Sequence, residues 1–192
     1  MKYYLPFLWC LVLSALATAQ VPAWKGYAID QRLTVRFPVA PQELNVPQTM
    51  AAHDSPRKNE PQVLASRAFR AEDAIATYIL VSIPLTDTSY FNQPAPARET
   101  YTKSRGIGFM MAQLHGELLE QTVSTQPGLD SFTVKFRVLT SDGSPGVKYV
   151  RVLTVQQRIY QLFFIPKDKS GKAGATQRAQ FFSTAIQGPG RN

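Results

Sequence analysis

Three consecutive runs between Ser131 and Pro166 carry the clearest hydrophobic pattern in the chain. Phe132, Val134, Phe136 and Val138 alternate with Thr133, Lys135 and Arg137, the period-two signature of a strand with one dry and one wet face. Asp142-Gly143 then supplies a pair that tolerates positive φ, and Ser144, Pro145 and Gly146 lengthen the turn, so a hairpin is expected. The return run, Val147 to Val155, sets Val150 and Val152 against Tyr149, Leu153 and Val155. Gln156-Gln157 turns the chain again. In the third run Ile159, Phe163 and Ile165 alternate with Tyr160, Leu162 and Phe164, which leaves little polar surface for water. That run predicts a strand central in its sheet or covered on both faces.

The same reading extends along the chain. Leu33, Val35 and Phe37 alternate with Arg32, Thr34 and Arg36 before Pro38, a strand. Val63 to Phe69 and Ala74 to Pro84 read as further strands, with Ala51 to Pro61 an exposed loop before them. Between Ala97 and Leu114, apolar or small residues at Ala97, Tyr101, Ser104, Gly108, Met111 and Leu114 recur near helical spacing, and Gly116 is placed to cap that helix. Glu117 to Ser124 reads as a strand, with Pro127-Gly128 turning into the three organising runs. Ala175, Ala179, Phe182 and Ile186 then form the apolar stripe of a closing helix whose outer face carries Gln177, Arg178 and Gln180. The expected fold class is α+β: a single domain, an antiparallel β-sheet with a middle helix and a C-terminal helix packed on it.

Composition adds targeting and excludes some chemistry. Lys2, the apolar stretch from Tyr3 to Leu16 and the small-x-small sequence Ala17-Thr18-Ala19 read as a secretory signal peptide over residues 1–19, leaving 20–192 as the domain. The expected location is secreted or periplasmic, with no transmembrane anchor after cleavage. Cys10 is the only cysteine and falls in the leader, so the remaining chain has no disulfide, thiolate nucleophile or cysteine-bound metal. The formal charge of +8 is scattered along the sequence, which argues against a nucleic-acid partner. Its densest cluster, Lys167, Lys169 and Lys172, sits in a loop.

Candidate chemistry is sparse. His53-Asp54-Ser55 has the residue types of a hydrolase triad, but consecutive residues do not converge as base, orienting acid and nucleophile must. His115 has only His53 as a histidine partner, which leaves a metal site short of ligands. Glu117 and Glu120, at an odd separation on a strand, are expected on opposite faces. Gly106-Ile107-Gly108 lacks the third glycine of a dinucleotide fingerprint. Tyr149, Tyr160, Phe163 and Phe164 read as packing residues. No catalytic, cofactor-binding or metal residue is assigned, and no cofactor is expected. The expected binding surface is the wet face bearing Lys135 and Arg137, together with the Asp142 loop.

Leu33-Thr34-Val35-Arg36-Phe37-Pro38, the middle helix, Arg158-Ile159-Tyr160-Gln161-Leu162 and the closing Phe181-Phe182-Ser183 give the chain a resemblance to the bacterial secreted proteins of the PsbP/Mog1/DcrB-like group. The resemblance implies an antiparallel sheet with helices on its faces and an accessory or binding task. The leading expectation is therefore a non-enzymatic accessory domain whose partner is a protein or cell-envelope component. Two alternatives stand beside it: a hydrolase using the His53 loop or His115, and weak electrostatic attachment to anionic envelope surfaces through Lys167, Lys169 and Lys172.

Overall fold

The computed structural model of the chain describes residues 24–48, 59–85, 88–114, 116–126, 128–140 and 142–186. The leader, His53 and its loop through residue 58, and His115 lie outside them. In chain order the strands are β1 (Lys25–Ala28), β2 (Leu33–Phe37), β3 (Gln42–Leu44), β4 (Arg67–Glu72), β5 (Ala76–Pro84), β6 (Glu117–Gln126), β7 (Leu129–Leu139), β8 (Pro145–Val155), β9 (Arg158–Pro166) and β10 (Ala185–Ile186). Seven of them form one antiparallel sheet in the order β3-β4-β5-β9-β8-β7-β6, and β1-β2-β10 form a second, three-stranded sheet. The architecture is α+β and antiparallel.

The three organising runs are adjacent strands. Phe132 pairs with Val152, and Val150 with Phe163, so their dry faces line up across β7, β8 and β9. β9, between β8 and β5, is covered on both sides because its two faces feed two different cores. On one face Tyr78, Leu80, Leu153, Tyr160, Leu162 and Phe164 meet Leu33, Val35 and Phe37 of β2 and Phe181 of the C-terminal helix. The Tyr78 ring lies 5.5 Å from Trp24 and Phe164 and 5.3 Å from Phe181, all near edge-on. Each such pair adds about 0.5–1.5 kcal/mol beyond its buried area. On the other face Phe132, Val134, Phe136, Val138, Val150 and Val152 pack with Ile107 and Met110 of the middle helix.

Several local expectations are corrected. Leu33–Phe37 is a strand, but it belongs to the second sheet, where its dry side closes the first core instead of extending the main sheet. Val63 and Leu64 are helical, in the turn Pro61–Leu64; the strand begins at Arg67. Pro61 presets the first helical φ, and the Leu64 N–H donates to the Glu60 carbonyl at 3.0 Å.

The middle helix, Ala95–Tyr101 and Ile107–Leu114, is joined by a π turn over Thr102–Gly106. That wide turn advances the phase by five residues, so Arg98, Thr102, Ile107 and Met110 are buried. Tyr101, Ser104 and Gly108, expected on the packed side, are exposed. Gly116 returns its N–H to the Met111 carbonyl at 3.4 Å. A Cβ there would come within 2.9 Å of the Arg137 carbonyl oxygen, a close approach that requires glycine.

In the C-terminal helix, Ala175–Phe182, the buried residues are Phe181 and Phe182, while Ala175 and Ala179 face outward. Ile186 is not helical. It pairs with Leu33 in β10, because the helix ends at Phe182 and the chain turns to the edge of β2.

Candidate functional site

Alternation on β7 places Thr133, Lys135 and Arg137 on the face opposite Phe132, Val134 and Phe136. β6, the edge strand, lies alongside and carries a bulge between Leu118 and Glu120. The bulge is the reason one expectation fails. The extra residue restores both glutamates to one face, opposite Arg137 and Lys135 respectively. Glu117 Oε2 accepts from Arg137 Nη1 at 2.7 Å and Glu120 Oε1 from Lys135 Nζ at 2.7 Å. Hydrogen bonding from Glu120 holds the Lys135 ammonium above its ordinary pKa.

On the other side of β7, β8 contributes Tyr149 and Arg151 to the same face. The Tyr149 hydroxyl donates to the Gly171 carbonyl at 2.9 Å, and this fixes the ring. Arg178 of the C-terminal helix, expected to point away, stacks its guanidinium 3.8 Å from the ring centroid, and Lys135 Nζ lies 5.8 Å from the same centroid. Arg151 Nη1 donates to the Phe182 carbonyl. Its Nε is buried without a partner, and burial lowers the pKa of the guanidinium. Two cations, from β7 and the helix, therefore flank one tyrosine, with Glu120 bonded to one of them and Arg151 on the neighbouring strand position of the same face. A guanidinium held by stacking, as that of Arg178 is, suits carboxylate or phosphate oxygens.

Asp142 is in the β7–β8 turn, where Gly143 has φ +75°. Thr140 Oγ1 donates to its carboxylate, as do Ser144 Oγ at 2.7 Å and Lys169 Nζ at 2.6 Å. Lys169 is the leading cause that keeps the Asp142 carboxyl well below the usual carboxylate range. Asp142 thus ties two loops together and shares no bond with Lys135 or Arg137. In the neighbouring lysine cluster, Lys167 pairs with Glu72 at 2.9 Å and Lys169 with Asp142, so two of its three charges are matched. Among the described residues no group of three or more His, Cys, Asp and Glu could hold a metal ion, and no helix is long and apolar enough to cross a membrane.

Sequence reasoning singled out Lys135 and Arg137 but not Arg151 or Arg178. Of the stripe expected from the helical spacing of Ala175, Ala179 and Phe182, only Phe182 is buried, and Arg178, expected toward solvent, stacks on Tyr149. No family model matches the chain, and no curated protein matches it.

Proposed function

We propose that this chain is a non-enzymatic accessory domain of the secreted or periplasmic space that binds a protein component of the cell envelope through an acidic segment. The observation that carries the reading is the Arg178 guanidinium stacked on the buried Tyr149 ring, with Lys135 near the same ring, at the margin of the face that the C-terminal helix covers. The resemblance to PsbP/Mog1/DcrB-like proteins supports the same task, and with it an arrangement of middle and C-terminal helices on opposite faces of one sheet. A rigid sheet holds the cations at fixed spacing, which favours recognition of carboxylates over diffuse attraction.

Polyglutamate serves as the model acidic partner. Binding should be saturable, should weaken as salt is raised, and should fall at least ten-fold in the Lys135→Glu/Arg178→Glu variant, whose thermal unfolding midpoint stays near that of the parent. Binding unchanged in that variant would overturn the assignment of the face. Retention on anionic vesicles without binding to polyglutamate would replace the protein partner by a membrane surface.

A further inference from the structure

A second feature lies further along the strands from Tyr149, where the β8–β9 turn meets the entry to β2 and the exit from β5. A cleft of ≈ 370 Å³ opens there between Asp30, Arg32, Pro84, Leu85, Gln157 and Arg158. Its size falls within the roughly 300–1,000 Å³ of small-ligand sites. The polar side of the cleft is built in advance. Asp30 Oδ1 accepts the backbone N–H groups of Arg32 and Leu33 at 2.8 and 3.0 Å, and Oδ2 accepts the buried Tyr160 hydroxyl at 2.7 Å. Arg158 Nη1 donates to the buried Ser82 hydroxyl at 2.6 Å, while its Nε lies 3.9 Å from Asp30 Oδ2. Asp30 and Arg158 are thus positioned by groups beneath them, and the unused edge of the Arg158 guanidinium is left for the cleft.

Arg32 is the group without an internal task. It is half-buried, it lines the cleft, and among the described residues its guanidinium has no hydrogen-bond or ion-pair partner. Arg32 and Arg158 both line the cleft, so two cations face the same space. The rim carries backbone strain as well. Gln156 adopts φ 50°, the left-handed region that costs a non-glycine residue about 1–2 kcal/mol. This conformation delivers Gln157 and Arg158 to the cleft, and the Gln157 carbonyl accepts the Leu85 N–H at 2.7 Å to close the floor.

We propose that this cleft binds a small organic carboxylate, with Arg32 and Arg158 on the carboxylate oxygens, Asp30 as a positioning residue, and Pro84 and Leu85 against the apolar part of the ligand. Charge selects the class. Two guanidinium groups and one carboxylate leave one net positive charge, which matches a monoanion better than a phosphate dianion. The site shares no lining residue with the cluster of Lys135, Tyr149, Arg151 and Arg178 and does not depend on it.

The test is an amide-resolved NMR titration of the chain with sodium butyrate, with inorganic phosphate and sodium chloride as separate arms at matched ionic strength. The expected result is saturable shifts confined to residues 30–33, 85 and 156–158 with butyrate, and at least a ten-fold weaker response to phosphate. Arg32→Gln should weaken butyrate binding at least ten-fold without moving the thermal midpoint, because Arg32 holds nothing internally. The Lys135→Glu/Arg178→Glu variant should bind butyrate as the parent does, so that failure of either site is read independently. No saturable shift with butyrate, or equal affinity in Arg32→Gln, overturns the site; equal or tighter binding of phosphate overturns the carboxylate assignment.

Discussion

Arg98 and Asp130 form a buried bidentate ion pair, Nε to Oδ2 at 2.8 Å and Nη2 to Oδ1 at 3.2 Å, with side-chain exposures of 8 % and 4 %. The remaining guanidinium donors reach the carbonyls of Gln93 at 2.7 Å and Gln126 at 3.4 Å, and the Phe91 ring lies 5.4 Å from the guanidinium carbon. The pair therefore clamps the start of the middle helix to the β6–β7 hairpin. Breaking one partner leaves a buried uncompensated charge, which costs about 3–5 kcal/mol. Asp130→Asn and Arg98→Met should each lose stability on that scale in urea unfolding. The double variant Arg98→Met/Asp130→Leu should lose less than the two single losses combined, because no lone charge remains. Strict additivity would show that the two groups do not act as a pair.

Gly174 precedes the C-terminal helix with φ +81°, and a Cβ there would lie 2.8 Å from both Phe164 Cζ and Ile75 Cγ2. Gly143 has a similar φ of +75° but open space around it. Gly143→Ala should carry the backbone term alone, about 1–2 kcal/mol. Gly174→Ala should cost more, because the Phe164 ring sits in a packed core and has little room to move. Denaturant midpoints of the two variants provide the comparison. Equal losses would mean that the core yields at Phe164.

What could be read from the sequence, and what could not, follows one physical division. Strands were legible wherever alternation was clean, as from Phe132 to Val138 and from Leu33 to Phe37, because period two is a local property of the backbone. Sheet membership was not, since nothing local assigns Leu33–Phe37 to a second sheet. Helix phase was lost where one residue changed the count: the π turn at Thr102–Gly106 puts five positions between the buried Thr102 and the buried Ile107, which leaves Gly108 outside. The bulge at Leu118/Glu120 did the same on β6 and reunited Glu117 with Glu120 on one face. Of the candidate face, Lys135 and Arg137 were visible through alternation. Arg178 was not, because its place depends on a contact with Tyr149 from a distant element.

Acid should loosen the loops around the hairpin tip first. The Asp168 carboxyl is held at a pKa of about 2, chiefly by the Ser170 hydroxyl with help from the Ala173 and Ser170 N–H groups, and Asp142 lies below the usual range for its own reasons given above. A carboxyl whose folded value is depressed contributes stability above its unfolded value, about 3.9, and loses it as pH falls through the folded value. The thermal midpoint should therefore decline between pH 4 and 2, about the window these shifts define. Asp168→Asn should flatten part of that decline, and an unchanged slope would remove Asp168 from the explanation.

Alkali probes the core through its tyrosines. Burial, reinforced by the hydrogen bond to Asp73, pushes the Tyr78 hydroxyl up, and burial with Asp30 does the same at Tyr160. Burial also pushes Tyr90 up to about 12. A phenol whose folded pKa is raised stays neutral in the fold, so its contribution is present below the unfolded value of about 10 and is lost as pH rises above it. Tyrosinate absorbance should show a late phase above pH ~11 that coincides with loss of near-ultraviolet dichroism, and urea should merge it with the ordinary phase near pH ~10. Tyr78→Phe should shrink the late phase. If the late phase kept its full amplitude in that variant, the buried hydroxyl of Tyr78 would not be one of the groups that resist ionisation.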